Sequence, residues 1–101
     1  MDEKLLVAQL QDKQTVDQAF RNLMTEYKER LYWHIRKIVI NHEDADDVLQ
    51  NTFIKVYHNI HSFKGDSKLF SWMYRIETNE SLSFIENVPE TNRWKALNYK
   101  N

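Results

Sequence analysis

The chain has 101 residues and a formal net charge of −1, with no cysteine, one glycine and one proline. Such a length bounds one small domain with a modest core. The scarcity of turn residues excludes an all-β chain, and the missing thiols exclude a disulfide framework or a thiolate metal site. Near-neutrality argues against unaided binding to a phosphate backbone, which ordinarily goes with basic excess. No apolar run reaches membrane-spanning length, and the start MDEKLLVAQLQDK is too acidic and polar for a signal peptide, so a chain acting in the cytoplasm without a membrane is expected.

Residues 2–12 predict a short helix with Leu5, Leu6, Ala8 and Leu10 as its apolar content. A second, long amphipathic helix follows over 15–40. Thr15 and Gln18 fit a capping box, and Ala19, Phe20, Leu23, Tyr27, Leu31, Ile35 and Ile38 recur at steps of three and four. Glu26 and Arg30 form an acid-to-base pair one turn apart on it. Arg36 and Lys37 fit a solvated face or contacts to phosphates.

The third helix is predicted over 43–61. Asn41 can cap it, and Glu43, Asp44, Asp46 and Asp47 put negative charge at the positive end of the helix dipole. At 3.6 residues per turn, Ala45, Leu49, Phe53, Val56, Tyr57 and Ile60 share a core face. The other side gathers Asp47, Gln50, Asn51, Ile54 and His58. Ile54 there is either an ordinary exposed apolar residue or a small anchor with a polar rim, as partner surfaces are built.

A loop over 62–66 carries the single glycine in Lys64-Gly65-Asp66-Ser67, and Asp66 or Ser67 is placed to cap the next helix, 67–86. That helix packs Leu69, Phe70, Trp72, Met73, Tyr74 and Ile76 close together, with Lys64, Lys68 and Arg75 around them. Aromatics mixed with cations suit unstacked bases and phosphates, and equally suit a core rimmed by snorkelling cations. Beyond Ile85 the periodicity stops at a polar stretch with Pro89, leaving 87–101 as a linker or tail in which Trp94, Leu97 and Tyr99 form a docking segment or a frayed end. His34, His58 and His61 lack a metal-site spacing, no nucleophile or glycine-rich phosphate motif occurs, and neither an enzyme nor a cofactor is expected.

The stretch from Asp44 to Ile85 resembles region 2 of the bacterial sigma-70 family, in its extracytoplasmic-function branch. The residues that carry the resemblance are Asp44-Ala45-Asp46-Asp47, Gln50, Phe53, Phe63-Lys64-Gly65-Asp66-Ser67, Ser71-Trp72-Met73-Tyr74-Arg75-Ile76 and Asn79, in order and without a gap. The resemblance implies an all-α, small helical bundle over 1–86. It also implies a transcription initiation factor domain that binds RNA polymerase core and recognises and melts the minus-ten promoter element. Asp47, Gln50, Asn51 and Ile54 match the positions that dock on the coiled coil of the largest polymerase subunit. Lys64, Ser67, Lys68, Trp72, Arg75 and Asn79 match those that capture an unstacked base of the non-template strand of promoter DNA. In such proteins the linker leads to a C-terminal helix-turn-helix domain, which is expected to be absent here.

The chain departs from the pattern at Asn51, where an acid is usual, at Glu77, where a small residue is usual, and at Phe84-Ile85-Glu86. Glu77, Glu80 and Glu86 are expected to turn negative charge toward phosphate. The alternative is therefore a sigma-like module that binds polymerase or an anti-sigma factor without engaging DNA.

Overall fold

The computed structural model describes residues 2–87. Four helices make up the described fold: α1 (Glu3–Leu10), α2 (Val16–Arg36), α3 (His42–Asn59) and α4 (Leu69–Glu86), with a 3-10 turn at Ile60–Ser62. The bundle is all-α, as expected; the expectations for 88–101, including Trp94, Leu97 and Tyr99, lie outside the described residues.

Helix α2 is the central element and packs against each of the other three. A short connection turns the chain back, so α3 runs antiparallel to it: Phe20 meets Phe53 and Tyr57 at one end, while Ile35 clusters with Ala45 and Val48 at the other. Helix α4 returns alongside α2, with Tyr27 against Phe70 and His34 against Tyr74. Two apolar clusters result. The larger joins Leu6, Leu10, Phe20, Leu23, Leu31, Phe53, Val56, Phe63, Leu69 and Met73 from all four helices and the loop; the smaller holds Ile35, Val39, Ala45 and Val48.

Several boundaries and caps differ from expectation. Helix α2 stops at Arg36, four residues before the predicted end, because Ile38 and Val39 both turn their N–H groups onto the Ile35 carbonyl, at 2.9 and 2.7 Å. The tightened last turn lets Val39 drop into the core. No capping box forms at its start. Thr15 Oγ1 instead donates to the Gln9 carbonyl at 2.7 Å, tying α2 to the end of α1, and Gln18 Nε2 donates to Asn22 Oδ1 at 3.1 Å. Asn41 does cap α3, accepting from the Glu43 and Asp44 N–H groups at 2.7 and 3.4 Å.

The third helix gives way to the 3-10 turn after Asn59, short of the predicted 61. Its buried face is rotated from the expected one: Val48 and Thr52 are inside, Leu49 is half-buried and Tyr57 is exposed. Thr52 fits there because its hydroxyl donates to the Val48 carbonyl at 2.8 Å. The fourth helix begins at Leu69, two residues later than predicted, and neither Asp66 nor Ser67 caps it: its first N–H is taken by the Glu3 carboxylate of α1 at 3.1 Å.

Arg30 does not need the predicted Glu26 partner. Its guanidinium lies 3.9 Å from the centre of the Phe70 ring, an arrangement the ring quadrupole favours. Glu77 overturns another expectation, since its side chain is completely buried and turned away from any phosphate. His34 Nδ1 bonds both of its carboxylate oxygens at 2.9 Å, Thr78 Oγ1 donates to it at 3.1 Å and Ser81 Oγ at 3.4 Å. Where a small residue is usual on α4, this chain has a carboxylate, and a histidine across the interface compensates it.

Candidate functional site

Two surfaces flank α3. On the first, Asp47, Gln50, Asn51 and Ile54 all face outward, and Ile54 is 53% exposed. A four-residue step carries Asp47, Asn51 and the Gln50–Ile54 pair along one strip of the helix. Next to Ile54 lies an open apolar groove of about 370 Å³ between α2 and α3, lined by Phe20, Met24, Gln50, Phe53, Ile54, Tyr57 and His58. Tyr57 forms its edge because it stacks on Phe20, 5.2 Å between ring centres, instead of entering the core. Ile54 is thus the outer lip of a continuous apolar surface and not an isolated exposed residue.

The acidic opening of α3 sits at one end of this strip. Burial pushes the Asp44 carboxyl above its ordinary value, helped by the neighbouring Asp47 and Glu43 charges. His42 Nε2 pairs with Asp46 one turn on, at 3.3 Å, while its Nδ1 meets the Tyr32 hydroxyl.

The second surface lies around the 63–68 corner. Gly65 holds φ of +81°, the only positive value among the described residues, and turns the chain so that Lys64, Ser67 and Lys68 project into solvent. Phe63 and Leu69 are buried on either side of the corner and anchor it. Beside it is a polar pocket of about 240 Å³ lined by Lys55, Asn59, Ser62, Trp72, Ile76, Asn79 and Glu80. Trp72 is half-buried and tilts against Phe63, 5.3 Å between ring centres, so it packs under the corner and also forms the pocket wall. Asn79 is exposed at the same pocket.

Of the six residues expected to meet DNA, Trp72 and Asn79 therefore converge on one pocket, and Lys64, Ser67 and Lys68 stand at the corner. Arg75 is exposed on α4 and does not line the pocket. Lys55, Asn59 and Ser62 were missed, and Glu80 was expected only as a negative charge turned toward phosphate. Lys55 and Glu80 form an ion pair across α3 and α4 at the pocket, with the lysine exposed and the carboxylate nearly enclosed. Residues 25 positions apart on two helices leave no local pattern, and only the antiparallel packing of α3 and α4 brings them together.

Among the described residues, no group of three or more His, Asp or Glu side chains is placed to hold a metal ion, and no helix is long and apolar enough to cross a membrane. His34 faces Glu77 and Tyr74 on α4 and, among the described residues, forms no such group with His58 and His61.

Comparison with known proteins identifies the family. Residues 23–87 match the family model described as Sigma-70 region 2. The RNA polymerase sigma-H factor of Pseudomonas aeruginosa is 35% identical over 87 residues, covering 79% of this chain and 45% of the relative. The ECF RNA polymerase sigma factor SigW of Bacillus subtilis is 36% identical over 67 residues, covering 66% of this chain and 36% of the relative. The ECF RNA polymerase sigma-E factor of Haemophilus influenzae is 34% identical over 67 residues, covering 66% and 35%. The chain spans less than half the length of these curated relatives. The match begins at Leu23 and takes in α3, the corner and α4 without interruption. By its region 2, the chain belongs to the sigma-70 family, in the extracytoplasmic-function branch.

Proposed function

We propose that this chain is the region 2 domain of a transcription initiation factor, acting in the cytoplasm. One surface docks it on RNA polymerase core, and the other captures an unstacked base of the minus-ten promoter element. Asp47, Gln50, Asn51 and Ile54 form the docking strip on the coiled coil of the largest polymerase subunit. The apolar groove behind Ile54 takes a side chain of that coiled coil, and the surrounding amide and acid groups form the polar rim.

At the corner, Lys64, Ser67, Lys68 and Arg75 meet the non-template strand. The pocket walled by Trp72 and Asn79 receives one base. Melting a duplex costs a few kcal/mol of stacking per step, and a pocket for one extruded base offsets part of that cost. The near-neutral chain fits a subunit that meets DNA after docking on a larger machine that supplies most of the positive charge. No step of this function requires catalysis by the chain itself.

The observation that carries the reading is Ile54, exposed on the lip of an apolar groove within an otherwise polar strip. The test is a pull-down against core polymerase with Ile54→Asp. Binding falls at least tenfold, a loss of about 1.4 kcal/mol or more, while helicity and melting temperature stay at the wild-type values. Full retention of binding, or a collapsed fold, rejects the placement.

A second reading is favoured by the Lys55–Glu80 pair, which neutralises the one lysine on the pocket wall. In it the chain binds polymerase or an anti-sigma factor and leaves DNA alone. Binding of single-stranded promoter DNA to the assembled complex, measured against salt, separates the two. An assembled complex indifferent to DNA leaves the second.

A further inference from the structure

The corner between Phe63 and Leu69 makes little of its own support. Within it the side-chain hydrogen bond is a long one, Ser67 Oγ to the adjacent Lys68 carbonyl at 3.4 Å, and Gly65 meets nothing within 4 Å of where a Cβ would stand. Besides the burial of Phe63 and Leu69, its two ends are tied by side-chain hydrogen bonds from elsewhere, and both come from α1. Gln11, the residue closing α1, donates from Nε2 to the Ile60 carbonyl at 3.0 Å and to the Phe63 carbonyl at 3.1 Å. One amide nitrogen with two hydrogens thereby reaches both carbonyls that bound the 3-10 turn, joining the Phe63 N–H at the Ile60 carbonyl, which it meets at 3.2 Å. At the other end Glu3 accepts from the Leu69 N–H at 3.1 Å, putting a carboxylate at the positive end of α4 where Lys68 offers no side-chain cap.

These bonds span 49, 52 and 66 positions of sequence. Helix α1 can make them because Asp2 caps it, accepting from the Lys4 N–H at 3.0 Å, and because Leu6 and Leu10 are buried in the larger cluster beside Phe63 and Leu69. Glu3 and Gln11 lie one at each end of this anchored helix. The spacing of its two polar ends therefore fixes the spacing of the two ends of the corner. None of α1 lies within the segment 23–87 that matches the family.

We propose that Glu3 and Gln11 are positioning residues for strand capture, with α1 serving as a brace that holds the corner in the form that presents Lys64, Ser67 and Lys68. This rests on the reading of the corner as a DNA-capturing surface. The brace lowers the ordering needed when a strand arrives, since the loop ends are already fixed before binding.

The experiment uses the full chain carrying Glu3→Ala, Gln11→Ala, both together, or Glu3→Gln. Each is assembled with core polymerase and titrated with a pool of single-stranded oligonucleotides of randomised sequence in a filter-binding assay. Amide hydrogen exchange is followed in parallel on the chain alone. The double variant is expected to bind the oligonucleotides about tenfold more weakly, as loss of these hydrogen bonds implies. It keeps its affinity for core, and exchange speeds up at 63–69 but not along α3. Glu3→Gln retains an acceptor and recovers most of the loss attributable to Glu3→Ala.

Wild-type oligonucleotide affinity in the double variant overturns the brace and leaves the DNA reading standing. Equal loss of core and oligonucleotide binding with a general fall in exchange protection overturns it too, by reducing both residues to a structural role. If the wild-type assembly itself binds no oligonucleotide, the DNA reading fails and the positioning role fails with it, whatever the exchange data show.

Discussion

At the scale of single residues, the buried pair His34–Glu77 is the clearest case of one side chain requiring another. A carboxylate with no solvent access is tolerable only while hydrogen-bonded, and half of that bonding comes from the imidazole. His34→Leu is therefore expected to destabilise the fold by about 3 kcal/mol, read by urea unfolding. Combining it with Glu77→Ala removes the orphaned charge and should restore much of the loss, since replacing both members of a buried pair is far milder than removing one. Asp44 gives a pH signature. Its carboxyl is pushed above the ordinary value of 3.8 by burial, then by Asp47 and Glu43. The folded form thus holds this proton more tightly than the unfolded chain, so its contribution favours folding below the ordinary value and is lost as pH rises through the raised one. Asp44→Asn should show a flatter stability profile across that acid window, checked by unfolding both proteins over a pH series. Gly65→Ala is expected to cost about 1–2 kcal/mol from backbone strain alone, because the site is left-handed and otherwise open. The outward stance of Asp47, Gln50, Asn51 and Ile54 was legible from helical periodicity. The pairings of Glu77 with His34, Arg30 with Phe70 and Lys55 with Glu80 were not, because each joins two helices and no spacing within a helix encodes it.

Among the elements, the four helices were legible from period and composition, and their ends were less so. Two predicted caps give way to contacts from outside the helix: Glu3 displaces Asp66 and Ser67 as the cap of α4, and Thr15 turns toward Gln9 instead of capping α2. Tyr57 left the predicted core face of α3 for the same kind of reason, since Phe20 on α2 offers it a stacking partner at the surface. Helix α3 consequently shows an apolar edge on its polar-looking side. Phe20→Ala is expected to cost about 3–5 kcal/mol through the lost burial beneath Phe53 and Tyr57, measured as a shift in the urea midpoint.

For the molecule as a whole, the all-α class and the family were legible because the matching residues run continuously through α3, the corner and α4. The division of the core into two clusters was not. Leu23 and Leu31 of α2 lie in one cluster and Ile35 in the other, while Val56 and Val48 of α3 are split likewise. Two helices that carry both clusters make them a single cooperative unit. Thermal unfolding should be one transition, with helicity and aromatic ellipticity lost together; separate midpoints for the two signals would contradict this.

Trp72 stands in the wall of the pocket beside Asn79, half in the core and half open to whatever enters. Its indole is consequently a built-in optical probe. A base stacked on it quenches its emission, whereas docking at Ile54, on the other side of α3, leaves that emission unaltered. Trp33, 57% exposed near the far end of α2 and edge-on to Tyr32, lies outside that pocket, and Trp33→Phe removes its background from the signal.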